Sequence, residues 1–209
     1  MINMETVPVG EIQVNCYVLW DNPRQAIVVD PGAEPERIDA FLKERSLQAA
    51  AYMLTHGHVD HIGGLAELCR LRPAPIGMPE KDLSWAFGEQ NQLPPFYDIP
   101  QRPPVIERML EDGQSWEDGG MAYRCMATPG HTPGSMCLYF PGAKILLSGD
   151  TLFAGSVGRT DLPGGDSRTL QQSLQKIAAL PDDVSVYPGH GPATTIRQEK
   201  NINYFLRQP

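Results

Sequence analysis

The chain has 209 residues, which is enough for a full-sized hydrophobic core, and we predict one domain over residues 1–209. Hydrophobic residues make up 41% and charged residues 20%, values that exclude a chain disordered throughout. The net charge of -8 argues against a nucleic-acid-binding protein, because such proteins normally present a basic face.

The first half of the chain alternates the patterns of strands and helices. We predict strands at residues 15–20, 25–30 and 49–55 and helices at residues 35–45 and 64–71. The turn signal Asp21-Asn22-Pro23 separates the first two strands, and Asp30-Pro31-Gly32 ends the second. The first helix carries Ile38, Phe41 and Leu42 at helical spacing among charged residues.

Residues 94–104 interrupt this alternation. Five prolines fall within these eleven residues, with Phe96 and Tyr97 among them, so regular structure is excluded. The segment is either a long connector between two halves of the chain or a wall over a substrate cleft. The connector is the favoured interpretation.

The second half returns to strands and ends in helices. We predict strands at residues 121–127, 135–140, 144–148 and 184–187 and helices at residues 167–180 and 195–206. Ser167 is the predicted N-cap of the first of these helices, and Pro181 lies just past its end. Thr195-x-x-Gln198 matches a capping box at the start of the last helix.

The cysteines and the N-terminal residues indicate a cytoplasmic protein. The four cysteines are Cys16, Cys69, Cys125 and Cys137. They form no C-x-x-C pair, and we interpret them as small buried thiols in a reducing compartment. No Lys or Arg precedes Arg24, so the charged region of a signal peptide is absent. The apolar run at 49–54 is too short to cross a bilayer.

The segment Thr55-His56-Gly57-His58-Val59-Asp60-His61 concentrates side chains that bind metals. Its three histidines and one aspartate fall within six residues after a predicted strand, and we expect a loop to turn all of them toward one point. Neutral imidazole and carboxylate groups are good ligands for zinc and similar metals. Because clustered imidazoles need a cation or wide solvation, the segment predicts a metal site.

The two remaining histidines and a further aspartate lie in similar contexts. Pro129-Gly130-His131-Thr132-Pro133-Gly134 and Tyr187-Pro188-Gly189-His190-Gly191-Pro192 each follow an apolar strand and hold the histidine in a stiff loop. Leu146-Leu147-Ser148-Gly149-Asp150-Thr151 places Asp150 at another strand end. A carboxylate has two oxygens and can bridge two metals. Together, five histidines and two aspartates predict a two-metal centre rather than unrelated surface residues.

These motifs resemble the metallo-β-lactamase superfamily, and the resemblance covers nearly the whole chain. The matching segments read T-H-x-H-x-D-H, P-G-H-T-P-G, G-D-T-L-F and P-G-H-G-P. The stretch from Gly149 to Asp161 is similar to the glyoxalase II (hydroxyacylglutathione hydrolase) branch and to the related persulfide dioxygenases. The resemblance implies an α/β fold, an αββα sandwich of two mixed β-sheets flanked by helices, with the metals at one edge of the sheets.

The resemblance also implies how the ligands divide between two metals. The first metal would be held by His56, His58 and His131, and the second by Asp60, His61 and His190. Asp150 would bridge the metals together with a water or hydroxide. We therefore expect two divalent ions, with zinc the leading candidate and iron or manganese also compatible with these donors.

Such a centre suits the hydrolysis of a thioester. A metal lowers the pKa of bound water to about 7, so that one metal can present a hydroxide while the other polarises the carbonyl oxygen. The leaving thiol has a pKa of about 8.5, so little acid catalysis is needed. Asp60 has a second, catalytic role in this interpretation, in which its free oxygen orients the nucleophile.

Arg159, nine residues after Asp150, is the predicted substrate-binding residue. The glyoxalase II pattern has a basic residue here that holds the carboxylate of a thiol cofactor, and Arg159 could make a similar bidentate contact. The other interpretation is an ion pair with Asp161 that anchors the loop, and both stay open. Full-length glyoxalase II enzymes complete the glutathione pocket with a helical C-terminal region. Nineteen residues follow His190 here, so the chain is expected to be closer to the short, single-domain relatives than to these enzymes.

The leading hypothesis is a binuclear hydrolase that cleaves a hydroxyacyl thioester such as S-lactoylglutathione. The alternatives are a mono-iron persulfide dioxygenase, an RNA-processing nuclease of the same fold and a non-catalytic metal-binding protein. The P-G-H-G-P segment favours the hydrolase, the acidic composition disfavours the nuclease, and residues 149–161 disfavour an antibiotic-cleaving lactamase. The expected partner is a small thioester rather than a nucleic acid or a membrane, and a homo-oligomer is left open.

Overall fold

Two sheets form the centre of the molecule. A computed structural model describes residues 2–21 and 24–207. Within these residues the first sheet runs, edge to edge, through β1 (Asn3–Val9), β2 (Val14–Trp20), β3 (Gln25–Val29), β4 (Gln48–Met53), β5 (Ile76–Pro79) and β6 (Arg108–Leu110). The first three strands pair antiparallel, whereas β3 to β6 are parallel, so the sheet is mixed.

The second sheet is built from the other half of the chain. In the described part it runs through β7 (Ser115–Asp118), β8 (Met121–Ala127), β9 (Met136–Phe140), β10 (Ile145–Gly149), then β13 (Ser185–Pro188) and β14 (Thr194–Thr195). The intervening β11 (Leu152–Phe153) and β12 (Ser156–Val157) form a small separate ribbon. The β10–β13 pair is parallel and the others are antiparallel, so this sheet is also mixed.

Helices cover the outer face of each sheet. They are α1 (Pro35–Glu44), α2 (Val59–Ile62), α3 (Leu65–Leu71), α4 (Ser167–Ala178) and α5 (Ile196–Ile202), with 3-10 helices at Glu80–Asp82 and Phe205–Arg207. Ile38 and Leu42 of α1 pack with the first sheet, while Leu170 and Leu174 of α4 pack with the second. No helix in the described ranges is long and apolar enough to span a membrane.

The buried side chains form three hydrophobic clusters, because successive side chains of a strand point to opposite faces of its sheet. In β9, Met136 and Leu138 point into the cluster between the two sheets, and Cys137 points into the cluster under α4. Burial of both faces explains why the strand reads as a continuous apolar run rather than an alternation of apolar and polar residues. The layers are helix, sheet, sheet and helix, and the predicted αββα sandwich is confirmed.

The predicted helices and central strands are confirmed with small shifts at their ends, but other predictions are wrong or incomplete. The N-cap of α4 is Asp166, whose carboxylate accepts a hydrogen bond from the Thr169 N–H, and not Ser167. Ser167 is already the first helical residue, and a carboxylate one position earlier satisfies the helix N–H groups. The Thr195 N-cap is confirmed, but its helix ends at Ile202.

Two loop predictions have different outcomes. The structure gives residues 94–104 no helix or named strand, as predicted, but they lie between β5 and β6 of the first sheet, so the prediction that they join the two halves of the chain is wrong. In the turn predicted at Asp21-Asn22-Pro23, Asn22 and Pro23 lie outside the described residues.

The loops that follow β4, β8, β10 and β13 lie together at one end of the sandwich. The Met136 N–H donates to the Thr55 carbonyl at 2.8 Å, which joins the two sheets at this end. The Gly189 N–H donates to the Gly149 carbonyl, also at 2.8 Å. These hydrogen bonds bring together the loops that carry the predicted metal ligands.

Candidate metal centre

The four donors of the first motif lie on two kinds of structure. His56 and His58 are on the loop after β4, whereas Asp60 and His61 lie on the single turn of α2. The expectation that a loop holds all four is therefore wrong for Asp60 and His61. The turn is closed by a hydrogen bond of 2.7 Å from the Gly63 N–H to the Val59 carbonyl, and it aims both side chains inward.

The second half supplies His131, Asp150 and His190, each just beyond a strand of the second sheet. Gly189 precedes His190, and a Cβ there would lie 2.2 Å from an Asp150 oxygen and 2.7 Å from the His61 ring. Only glycine lets the backbone approach so closely. Gly189, which the sequence motif indicates only as part of a stiff loop, therefore also makes room for the donors.

All seven predicted ligands come together. Their donor atoms form overlapping groups in which all atoms lie within 4.8 Å of one another. These groups are His56, His58 and His131; His56, His61 and Asp150; and Asp60, His61 and His190. The first and third groups have the composition that the sequence analysis assigns to the two metals.

The spacing within the first group fits a single cation. His58 Nδ1 lies 3.1 Å from His56 Nε2 and 2.9 Å from His131 Nε2. Tetrahedral zinc with nitrogen ligands at 2.0–2.1 Å would separate its donors by about 3.3 Å. Three imidazoles can therefore face one ion with little rearrangement.

Asp150 stands between the two groups. Its Oδ1 lies 3.4 Å from His61 Nε2, and its Oδ2 lies 3.6 Å from His131 Nε2 and 3.7 Å from His190 Nε2. A carboxylate that reaches the first group with one oxygen and the second group with both is placed as a bridging ligand would be.

Asp30 orients two of the imidazoles, and sequence reasoning missed it. Its Oδ2 lies 2.9 Å from His61 Nδ1 and also accepts a hydrogen bond of 2.7 Å from the Thr55 hydroxyl. Because that hydroxyl donates to Asp30, its lone pair faces His56 Nδ1 at 3.0 Å. One buried carboxylate thus fixes the ring of His61 directly and that of His56 through Thr55, leaving each Nε2 directed into the centre.

Backbone carbonyls orient two further rings. His131 Nδ1 donates to the Arg159 carbonyl at 2.8 Å, and His190 Nδ1 donates to the Ile12 carbonyl at 3.2 Å. Their Nε2 atoms therefore also turn inward. The backbone of Arg159 has a role that its sequence motif does not reveal, since any residue could supply that carbonyl.

The electrostatics of the two groups differ. Burial, together with the surrounding imidazoles, lowers the pKa of His56 well below its ordinary value and that of His58 to about 4. Burial opposes the charged form of His61 as well, but the carboxylates of Asp60 and Asp150 outweigh it and raise its pKa. His56 and His58 are consequently neutral at pH 7, with their nitrogen lone pairs available.

Two donor atoms provide a test of whether a cation fits. His61 Nε2 and Asp150 Oδ1 are buried and have no hydrogen-bond partner within residues 2–21 and 24–207. A buried polar atom left unsatisfied costs about 1–3 kcal/mol, and more if the group is charged. Because the two atoms lie 3.4 Å apart without a hydrogen bond between them, a divalent cation at this point would satisfy both.

A cleft of about 710 Å³ opens onto the donors. Its apolar lining includes Ile12, Trp85, Leu93, Phe153, Val157 and Leu162. The Trp85 ring lies 5.5 Å from the His58 ring, and the Phe153 ring lies 6.3 Å from the His190 ring. Residues 94–104, all of them described, do not line it. The wall on this side comes instead from the residues just before that segment.

The position of Arg159 is compatible with both interpretations of its role, which are substrate binding and an ion pair with Asp161. It lines the cleft, and its guanidinium makes a bidentate ion pair with Asp161 through two hydrogen bonds of 2.7 Å. Among the described residues that line the cleft, Arg159 is the only cationic side chain apart from the histidines.

Comparison with known proteins identifies the family. The model of the metallo-beta-lactamase superfamily matches residues 9–190, and the chain belongs to this superfamily. At 37% identity over 98% of both chains, it is similar to a protein of Haemophilus influenzae named hydroxyacylglutathione hydrolase GloC.

Two solved structures share the fold over nearly the whole chain. The structure of BLEG-1 B3 metallo-beta-lactamase has a TM-score of 0.91 at 36% sequence identity. The match covers 99% of this chain and 100% of that chain. The structure of TTHA1623 in a di-iron-bound form has a TM-score of 0.83 at 35% identity and covers 97% and 100%. The second of these neighbours is in a di-iron-bound form.

Proposed function

We propose that this protein is a binuclear metal-dependent hydrolase that cleaves hydroxyacyl thioesters such as S-lactoylglutathione. The observation that carries the proposal is a pair of buried atoms, His61 Nε2 and Asp150 Oδ1, which lie 3.4 Å apart at the junction of two donor groups and have no hydrogen-bond partner among the described residues. In this proposal His56, His58 and His131 hold one cation, Asp60, His61 and His190 hold the other, and Asp150 bridges them. The proposed ions are zinc, with iron or manganese as substitutes.

The chemistry follows from the arrangement of the chain's own groups. The two donor groups would hold divalent cations, which when bound would supply a coordinated water with a pKa of about 7 and a Lewis acid for the carbonyl oxygen. Asp60 Oδ2 faces His190 Nε2 at 3.2 Å, which leaves its other oxygen to accept a hydrogen bond from the attacking water and orient it. The hydrogen bonds that Asp30 accepts from His61 and that the Arg159 carbonyl accepts from His131 keep these imidazoles in place throughout.

The cleft supports a thioester as the substrate. A thiol leaving group has a pKa of about 8.5 and departs without a general acid, unlike an amine or an alcohol. No Lys, Tyr or Cys is present among the described lining residues to act as such an acid. The name of the Haemophilus influenzae relative, at 37% identity, agrees with this substrate class.

The thiol part of the substrate would meet Arg159. Its guanidinium is the available cation for a carboxylate on the thiol carrier, in exchange for or in addition to the contact with Asp161. We propose a small-molecule substrate in the cytoplasm, and the protein's net charge of -8 disfavours a nucleic-acid substrate.

A β-lactam hydrolase is the second candidate, because the neighbour with a TM-score of 0.91 carries that description. Residues 149–161 favour the thioester. A persulfide dioxygenase would use a single iron, whereas the donors here form two groups joined by Asp150.

A panel of substrates tests the proposal. The purified protein, loaded separately with Zn²⁺, Fe²⁺ and Mn²⁺, is assayed for S-lactoylglutathione hydrolysis, hydrolysis of a chromogenic cephalosporin, and persulfide-dependent oxygen uptake. We expect thioester hydrolysis to dominate and to disappear in the Asp150→Ala variant. Oxygen uptake with one iron per chain, or cephalosporin cleavage without thioester cleavage, would overturn the proposal.

A further inference from the structure

Asp82 is a fully buried carboxylate near the candidate metal centre that belongs to none of its donor groups. It lies in the 3-10 helix Glu80–Asp82, just after β5, and is 0% exposed. It makes no hydrogen bond to a candidate ligand within the described part of the chain. Burial raises the pKa of its carboxyl, so its position is unfavourable unless other groups compensate for the lost hydration.

The compensation comes from the two loops that carry the first donor group. Asp82 Oδ2 accepts hydrogen bonds from the Gly57 N–H at 2.9 Å and from the Thr132 hydroxyl at 2.7 Å, while Oδ1 accepts from the Gly134 N–H at 2.8 Å. Gly57 lies between His56 and His58, and Thr132 directly follows His131. One carboxylate therefore ties together both loops that supply the first group.

The fit around Asp82 depends on two glycines. A Cβ on Gly57 would lie 2.9 Å from the Asp82 Cβ, and a Cβ on Gly134 would lie 2.6 Å from its Cγ. Both loops approach the carboxylate as closely as atoms allow. A shift of Asp82 would consequently move His58 and His131, whose ring nitrogens are 2.9 Å apart.

We propose that Asp82 is a positioning residue that sets the affinity of the first donor group for its cation by fixing the spacing between the His56–His58 loop and the His131 loop. Asp30 acts on the imidazoles themselves, whereas Asp82 acts only on the backbone and hydroxyl groups that neighbour them. The inference rests on the metal assignment proposed above.

The test uses the Asp82→Asn variant, which keeps the size of the side chain but places an NH₂ donor against groups that are already donors. The full-length protein is stripped with a chelator and titrated with Zn²⁺ by calorimetry. Partners outside the ligand sphere typically change metal affinity about 10- to 100-fold. We expect one of two binding events to weaken by such a factor, and Co²⁺ bound at that site to show an altered absorption spectrum.

The Asp60→Ala background assigns the weakened event, because it leaves the first donor group intact. The effect of Asp82→Asn should persist there in full. Asp118→Asn is the matched control, since Asp118 is also buried but pairs with Arg108 and Tyr123 in the body of the sandwich. It should leave both binding events unchanged. Equal losses in the Asp82 and Asp118 variants, or unchanged zinc binding by Asp82→Asn, would overturn the inference.

A second variant covers the case in which Asp82→Asn fails to fold. Thr132→Val removes one hydrogen bond to Asp82 and keeps the shape of the side chain. It should weaken the same event by a smaller factor, and unaltered binding would contradict the inference. Failure of the proposed function is distinguishable, because wild-type protein would then bind fewer than two ions or cleave no thioester.

Discussion

Three carboxylates surround the ring of His61. Asp30 lies 2.9 Å from its Nδ1, and Asp60 and Asp150 each lie 3.4 Å from its Nε2. Carboxylates this close to one buried ring repel each other unless a positive charge lies among them. A divalent cation would supply that charge, so we expect each carboxylate at the Nε2 side to matter for metal retention.

Asp150→Ala should lower metal occupancy much further than Arg159→Ala. Asp150 reaches both donor groups, whereas Arg159 contacts His131 through its backbone carbonyl and directs its guanidinium to Asp161. Metal content per chain, measured after gel filtration, should fall to one equivalent or less in the first variant and stay near the wild-type value in the second. Equal metal loss in both variants would contradict the proposed role of Arg159 in substrate binding.

The pair Arg159 and Asp161 allows the two interpretations of the arginine to be separated. If the guanidinium binds the thiol carrier, Arg159→Ala should raise KM for S-lactoylglutathione roughly three- to tenfold, because exposed charged contacts are weak. Asp161→Asn should leave KM unchanged or lower it, since the arginine is released. If the ion pair only anchors the loop, both variants should change kcat and KM alike.

The sequence was sufficient to single out seven side chains that the fold brings together, but not the groups that hold them. Histidine and aspartate in Gly/Pro loops are conspicuous, and all seven predicted donors meet in the structure. Asp30 was interpreted only as the end of a strand. Its role depends on which strand lies beside β3 and on where Thr55 falls in that register, and neither follows from local sequence.

At the scale of elements, α4 shows how a cap is misplaced by one residue. Asp166 and Ser167 are both good N-cap residues, and sequence alone gave no reason to prefer the carboxylate. Asp166→Ala should destabilise the protein by about 1 kcal/mol, whereas Ser167→Ala should have little effect. Urea denaturation of the two variants measures the difference, and the reverse order would contradict the observed cap.

Short strands escaped prediction for a related reason. β6 has three residues and β7 has four, too few for a periodic pattern to be recognised. Such strands are stabilised by pairing with β5 and β8 rather than by their own sequence. The central strands, which are longer and bury both faces, were predicted to within about two residues at each end.

At the scale of the whole molecule, the thiols report on the packing of the sandwich. Cys16, Cys125 and Cys137 are buried, and burial raises the pKa of Cys125 to about 12 and that of Cys137 to about 11. The thiolate is the reactive form, so at pH 8 these thiols should resist a disulfide reagent. We expect at most about one thiol, Cys69, to react quickly in the folded protein and four after unfolding. Rapid reaction of three or more in the native state would contradict the layered core.

The centre exists only because both halves of the chain fold against each other. The first half supplies His56, His58, Asp60 and His61, and the second half supplies the other three donors. A half-chain would present an incomplete set. We therefore expect the whole chain to bind two ions.

The most direct test is the number of divalent ions bound per chain, determined by elemental analysis of protein reconstituted with excess Zn²⁺ and freed of unbound metal. We predict two equivalents for the wild-type protein and one for the Asp60→Ala variant, which loses a donor of the second group only. One equivalent or none in the wild type would contradict the two-metal centre.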